Sequence, residues 1–361
     1  MINDKKSREF LFRYLNNFSP TGHESSGQKI WMEYLKPYVH EFIQDTYGTC
    51  VGVIHPSVKG GKDYKVVIEA HADEISWIVH HITKDGFIYV RRNGGSDHQI
   101  APSKRVLIHT SKGSVPAVFG WPAIHTREPG KEENPNLKNI FLDCGCSSAK
   151  EVEKLGIHIG CIVTFDDTLM ELGKNFLCGR ALDNRIGGFM IAQVARTLRE
   201  KKIDLPFSLY IVNSVQEEVG LRGAEMIARK LRPDVAIITD VCHDTSTPMM
   251  NKIQSGDIAC GKGPVLSYAP AVHNKLLELI ISAAEKNKIP FQRLAESRST
   301  GTDTDAFAYA NEGIPSALIS LPLRYMHTTV ETVHKKDIEN VIKLIVSSLR
   351  QIRYKQSFSY F

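Results

Sequence analysis

From Asn175 to the C-terminus, short apolar runs alternate with amphipathic stretches, and this alternation restricts the fold more than any other feature of the chain. Phe176 to Arg180, Phe207 to Val212, Val235 to Thr239, Phe291 to Ala295 and Ser316 to Leu321 read as strands, being rich in β-branched and aromatic residues and bounded by polar turns. Between them the apolar residues fall at helical spacing. The stretch from Ala181-Leu182-Asp183-Asn184-Arg185 to about Arg199 puts Ile186, Phe189, Met190, Val194 and Leu198 on one face. Leu221 to Leu231, Asn274 to Lys288 and Asp337 to about Arg353 follow the same period. Strands alternating with helices bury both faces of a sheet. The predicted class is therefore α/β, with a mostly parallel sheet flanked by helices.

The N-terminal part belongs to the same body. Ser7 to Phe18 and Glu24 to Val39 read as helices broken at Pro20-Thr21-Gly22, and the apolar run Tyr64 to Ala70 delivers His71-Ala72-Asp73-Glu74. From Ile75 to about Phe165 the runs become short and β-rich, separated by Lys84-Asp85-Gly86, Asn93-Gly94-Gly95, Lys112-Gly113 and a polar loop from Glu128 to Lys138. Only Ala149 to Leu155 looks helical there. The expected division is 1–74 with 176–361 as one discontinuous domain, and 75–175 as a small inserted β-domain. Short strands without a covering helix leave edges and apolar surface that call for a partner, so the insert predicts a homo-oligomer.

Several classes are excluded by composition. No run approaches the ~20 apolar residues of a membrane span. The first residues, Met1-Ile2-Asn3-Asp4-Lys5-Lys6-Ser7-Arg8, lack the apolar core of a signal peptide. Seven cysteines, an odd number with only Cys144 and Cys146 close together, suggest reduced thiols in a cytoplasm. The net charge of +5 is spread out rather than gathered into a basic stripe, which speaks against nucleic acid.

Val215-Gln216-Glu217-Glu218-Val219-Gly220 is the stretch that carries chemistry. It places two adjacent carboxylates at a strand end. Burying such a pair costs several kcal/mol unless cations or hydrogen bonds compensate it. Other acids and imidazoles, His71, Asp183, Asp240 and His327, also fall at or just after predicted strand ends. Ligands of α/β sheets gather outside those ends, so these residues are expected to converge. Imidazole and carboxylate without thiolate suit zinc, cobalt or manganese. Two histidines and three acids form two sites when one carboxylate bridges. Asp183 is the natural bridge, with an acid and a histidine available on each side. Glu217 is then free for proton transfer, and Asp73 stands two residues beyond His71, where a carboxylate can orient the imidazole. Two ions polarise a carbonyl and acidify water, which is hydrolysis.

Six motifs occur in order and nearly end to end: His71-Ala72-Asp73-Glu74, Ala181 to Arg185, Val215 to Ala224, Thr239-Asp240-Val241, Gly261-Lys262-Gly263-Pro264 and Arg324-Tyr325-Met326-His327. Together they resemble the glutamyl aminopeptidase / tetrahedral aminopeptidase family of co-catalytic metallopeptidases, some members of which were labelled cellulase M. The resemblance implies an aminopeptidase acting on short peptides with two divalent ions per subunit, zinc or cobalt, with manganese possible. It implies one ion on His71, Asp183 and Asp240, the other on Asp183, Glu218 and His327, with Glu217 as general base and Asp73 orienting His71. It further implies a cis peptide at Asp183-Asn184, and an insert that mediates oligomerisation from a dimer up to a hollow dodecamer. Val241-Cys242-His243-Asp244 departs from the family pattern, so His243 and Asp244 carry no assigned role. Asp303 and Asp305, in Gly301-Thr302-Asp303-Thr304-Asp305, match a family loop near the substrate, and an Asx turn or helix N-cap competes with that reading. Two alternatives stand beside the peptidase. An inactive oligomeric scaffold should have lost a ligand, and none is missing. A β-glucanase of the ordinary kind needs two bare carboxylates rather than histidines and a bridging aspartate.

Overall fold

Four parallel strands form the centre of the sheet in a computed structural model that describes residues 2, 4–57 and 61–361. Met1 and Asn3 of the polar N-terminal stretch lie outside the described residues. The strands are β1 (Lys65–His71), β2 (Ser208–Ser214), β3 (Val235–His243) and β4 (Ser316–Arg324), in the spatial order β2-β1-β3-β4. Ser214 pairs with His71 at the end of β1, and Asp240 pairs with Ser320. All of β2 and all of β1 after Lys65 are buried, which is why these strands read as continuous apolar runs rather than alternating ones.

The expectation of a mostly parallel sheet holds only for this centre. Cys50–Ile54 runs antiparallel to β2, and Glu41–Gln44 pairs antiparallel beyond it. On the other side Glu331–His334, Phe176–Gly179 and Met170–Leu172 follow one another antiparallel from β4. Among the described residues the sheet has eleven strands and is mixed. The outermost strands, Glu41–Gln44 and Met170–Leu172, have no residue fully buried. Strands with a wet face do not need helices on both sides, so they can return antiparallel.

Helix α1 (Leu182–Glu200) carries the inner helical layer. Every residue from 182 to 195 is buried, because the helix packs on β1 while Lys5–Asn16, Ser25–Leu35 and Lys335–Leu349 cover its other faces. Its amphipathic pattern therefore understates its burial. A helix enclosed on all sides needs small residues where neighbours approach, and Gly187 and Gly188 sit there.

By its contacts the chain divides into two units, one of residues 1–73, 169–326 and 330–361, the other of residues 74–168 with 327–329. The second unit is a closed barrel of six strands: Ser76–Ile82, Ile88–Asn93, Phe141–Asp143, Gly113–Gly120, Arg105–Thr110 and Ile162–Phe165. Trp77 fills its centre, edge-on to Phe119 at 5.5 Å between ring centroids. Closure pairs Trp77 with Val163 and leaves no open edge in the ring, contrary to what the short strands suggest in sequence. Residues 169–175, read from sequence as part of the insert, belong to the first unit, where Met170–Leu172 extends the large sheet. Among the described residues no helix is long and apolar enough to cross a membrane.

Candidate metal centre

The centre is built from the ends of β1, β2 and β3. His71 closes β1 and is 1% exposed. Its Nδ1 stands 3.4 Å from Asp73 Oδ1, and its Nε2 faces three more carboxylates: Asp183 at 3.3 Å, Glu217 at 3.8 Å and Asp240 at 3.9 Å. Asp73, fully buried two residues beyond the strand, thus lies on the opposite nitrogen from the other acids. That is the arrangement in which a carboxylate fixes the orientation of a ligating imidazole.

Beyond β2 the chain turns sharply. Gln216 has φ 59°, Glu217–Val219 forms a short 3-10 turn, and Gly220 has φ 114°. The left-handed conformation at Gly220 is one a residue with a Cβ rarely adopts. Asp73 holds this turn as well. Its Oδ1 accepts the Glu217 backbone N–H at 3.0 Å, and its Oδ2 accepts the Glu218 N–H at 3.2 Å and the Thr21 hydroxyl at 2.8 Å.

Asp183 enters from the start of α1, where backbone angles at Asp183 and Asn184 are not helical and the peptide between them is cis. Its backbone N–H donates to Glu331 Oε2 at 3.0 Å, and the Asn184 side-chain amide donates to the Thr239 carbonyl at 2.8 Å. Sequence placed Asp240 just past a strand. It lies inside β3 instead, accepting the Val241 N–H at 2.7 Å. His327 has φ 61° and packs so close to Gly95 that a Cβ there would run into its ring.

Within the first unit two groups of side chains offer ligand atoms within 4.8 Å of one another: His71 with Asp183 and Asp240, and His71 with Glu217 and Glu218. Six of the residues named from sequence (His71, Asp73, Asp183, Glu217, Glu218 and Asp240) are thus brought together, while His327 belongs to the second unit. The donors are imidazole nitrogen and carboxylate oxygen without a thiolate, which fits a divalent ion of the zinc, cobalt or manganese kind. Electrostatics point the same way. Burial pushes the carboxyls of Glu217, Glu218 and Asp240 above the ordinary range, and their crowding against Asp183 and each other adds to it. Burial opposes charge on His71, but Glu217, Asp183 and Asp73 outweigh it and hold the imidazole well above its usual value. A divalent cation relieves this repulsion among carboxylates.

The four residues that sequence left unassigned part company. Asp305 accepts the backbone N–H groups of Thr300 and Gly301, which makes it the cap of that loop. Asp244 is buried and accepts Arg324 Nε at 2.8 Å and the Cys260 N–H at 2.9 Å, a structural pairing. His243 is exposed at the end of β3. Asp303 is buried behind His71: Ser214, the register partner of His71, lies 2.7 Å from Asp303 Oδ2 and 2.6 Å from Glu69 Oε1. One hydroxyl has one proton to give to two carboxyls. Burial and the neighbouring Asp303 hold the Glu69 carboxyl well above its ordinary value. Sequence reasoning missed Thr21, Glu24, Glu69 and Glu331. Only Glu69 gave a signal, as a charged residue inside the apolar run that becomes β1.

The chain resembles known proteins in both sequence and fold. A family model described as M42 glutamyl aminopeptidase matches residues 52–344. The chain is 32% identical over 348 residues to a lysyl aminopeptidase of Pyrococcus furiosus, covering 96% of this chain and 97% of the other. Among solved structures, an aminopeptidase from the archaeon Desulfurococcus kamchatkensis matches with a TM-score of 0.88 at 32% identity, over 96% of this chain and 95% of that one. The TET1 peptidase of Pyrococcus horikoshii, which can assemble into a tetrahedron or a large octahedral shell, matches with a TM-score of 0.83 at 25% identity, over 96% and 100%.

Proposed function

This chain belongs to the M42 glutamyl aminopeptidase family, and we propose that it is a metal-dependent aminopeptidase that removes residues from the N-terminus of short peptides. The observation that carries this reading is the placement of Asp183 among the buried donors. It stands with His71 and Asp240 in one group of ligand atoms, beside a second group of His71 with Glu217 and Glu218, and the family resemblance makes it the ligand common to both ions. In this reading His71, Asp183 and Asp240 hold one divalent ion, and Asp183, Glu218 and His327 hold a second. Bound there, the ions supply Lewis-acid polarisation of the scissile carbonyl and make water more acidic. Glu217 takes the proton of the attacking water and passes it to the departing amine. Asp73 keeps the His71 ring turned toward the carboxylates and keeps the Glu217 backbone in place.

We further propose a homo-oligomer formed through the insert, from a dimer up to a dodecamer, working in a cytoplasm that keeps its seven cysteines reduced. Likeness to a peptidase that assembles into shells supports the first part, and the odd, unpaired set of cysteines supports the second. The deciding experiment is metal analysis of the purified protein, then a panel of aminoacyl anilides with zinc, cobalt or manganese restored in turn. Hydrolysis of N-terminal residues that disappears on chelation and returns with metal is the expected result. Hydrolysis of a cellulose oligomer, or no hydrolysis with both sites loaded, would overturn it.

A further inference from the structure

Helix α1 begins without a cap of its own. The residue at its N-cap position is Ala181, held in the left-handed region at φ 58°, and its methyl group offers no acceptor. A capping side chain ordinarily receives the N–H two or three residues on, which here is that of Asp183, the candidate ligand. Glu331 takes that place from elsewhere in the chain. Its Oε2 accepts the Asp183 N–H at 3.0 Å, in a buried setting and 148 residues away in sequence.

Sheet register makes this reach possible. Glu331 opens the strand Glu331–His334 and pairs with Gly179, the last residue of Phe176–Gly179. Only Arg180, Ala181 and Leu182 separate Gly179 from Asp183, so a side chain at the end of that ladder meets the chain as it turns into α1. Glu331 is 2% exposed, and a carboxyl taken out of water costs stability unless hydrogen bonds compensate it. On the other side of Asp183, the Asn184 side-chain amide donates to the carbonyl of Thr239, the residue before Asp240. The segment that delivers Asp183 is thus fastened to the strand of Glu331 on one side and to β3 on the other. An aspartate side chain is short, so this backbone decides where the Asp183 carboxylate stands, with Oδ1 now 3.3 Å from His71 Nε2. Metal–ligand distances tolerate only about 0.2 Å.

We infer that Glu331 is a positioning residue. Its carboxyl holds the Asp183 backbone and so sets the Asp183 carboxylate toward His71 and Asp240, without touching substrate or metal. This rests on the reading of Asp183 as a metal ligand. Two variants separate the acceptor from the bulk of the side chain. Glu331→Leu keeps most of the volume and removes the acceptor, and Glu331→Gln keeps an acceptor oxygen at the same reach. In metal-free protein, amide hydrogen exchange at Asp183 should quicken about 10-fold or more in Glu331→Leu, as an orphaned buried N–H does, while exchange in β3 and β4 stays at the wild-type rate. Zinc titration should show about 10–100-fold weaker binding in Glu331→Leu, as loss of an outer partner gives, and Glu331→Gln should recover most of it. Unchanged exchange at Asp183, or unchanged zinc affinity, in Glu331→Leu overturns the inference. So does faster exchange throughout β3 and β4, which reports general loosening. So does Glu331→Gln failing as badly as Glu331→Leu, which assigns the effect to charge rather than to the acceptor. If Glu331→Leu does not fold, the other two proteins decide. A wild-type Asp183 amide that exchanges as fast as an unstructured one overturns the inference, and one that is protected in wild type and in Glu331→Gln, with zinc affinity kept, upholds it. Wild-type protein that binds none of zinc, cobalt or manganese would defeat the reading of Asp183 as a ligand instead, and exchange at Asp183 would still decide whether Glu331 holds it.

Discussion

Asp73 receives the backbone N–H of Glu217 at 3.0 Å, while the same carboxylate oxygen stands 3.4 Å from His71 Nδ1. One side chain thus ties a candidate metal ligand to the candidate base. An amide at this position has a single acceptor oxygen and brings two donors against groups that already donate. Asp73→Asn should therefore lose about 10–100-fold in activity or metal affinity, through misplacement rather than unfolding. Steady-state kinetics beside metal titration will read it, and unchanged values in both would remove Asp73 from the site.

Asp183→Asn should lose at least one ion per chain, because a neutral amide cannot offset two divalent cations as a carboxylate does. The fold should survive, since the Asp183 backbone N–H still donates to Glu331. Elemental analysis after dialysis gives the answer directly. Full occupancy in this variant would show that Asp183 is not the shared ligand.

Glu217→Gln and Glu218→Gln should fail in different ways. The first keeps shape and metal but cannot accept a proton, costing ~10²–10⁴ in kcat with little change in KM. The second should bind metal more weakly and regain part of its activity when metal is added. His71, Glu217 and Glu218 also form a group of their own, so the opposite pattern, metal lost in Glu217→Gln and kept in Glu218→Gln, would exchange the two roles.

The buried Asp244 has a pH signature. Hydrogen bonds from Ser246, Cys260 and Arg324 outweigh its burial and hold its carboxyl well below the ordinary aspartate range. The unfolded chain then binds the proton more readily than the folded one. The stability that Asp244 contributes is full above about pH 4, near the unfolded aspartate value, and is lost as pH falls from there toward its lower folded value. Urea unfolding between neutral pH and pH 3 should show a shallower acid dependence in Asp244→Asn than in wild type. Equal slopes would refute the assignment.

Association through the insert should appear in light scattering as at least a dimer at micromolar concentration. With the barrel closed, strand edges cannot supply the contact, and the exposed apolar side chains of that unit, Ile124 and Ile159 the most exposed among them, are the remaining candidates. Ile124→Asp combined with Ile159→Asp should lower the mass. A wild-type monomer would contradict association altogether, and an unchanged mass in the double variant would move the contact elsewhere.

The elements most legible in sequence were those with strong periodicity and long-range burial. The run that becomes β2 is read from its unbroken apolar character, and α1 from one apolar face. Legibility failed where a residue's environment is made by distant chain. Nothing local distinguishes Glu24 from a surface glutamate at a helix start, yet in the folded chain it is buried. Asp303 and Asp305 look equivalent in sequence. One is buried against Ser214 and the other caps its own loop, and only the packing of the helix Asp303–Ala308 separates them.

By itself the sequence determined the layer architecture and the donor chemistry. Both follow from local properties: the period of apolar residues, and which side chains carry nitrogen or oxygen at strand ends. Tertiary structure decided the direction of the outer strands, the closure of the barrel and the two-sided hold of Asp73 on His71 and Glu217. It also decided that a single hydroxyl, Ser214, serves two buried carboxyls behind the site. These depend on which segments meet and in what register. Register is set by the summed burial of many residues, so it exists only once the chain has folded.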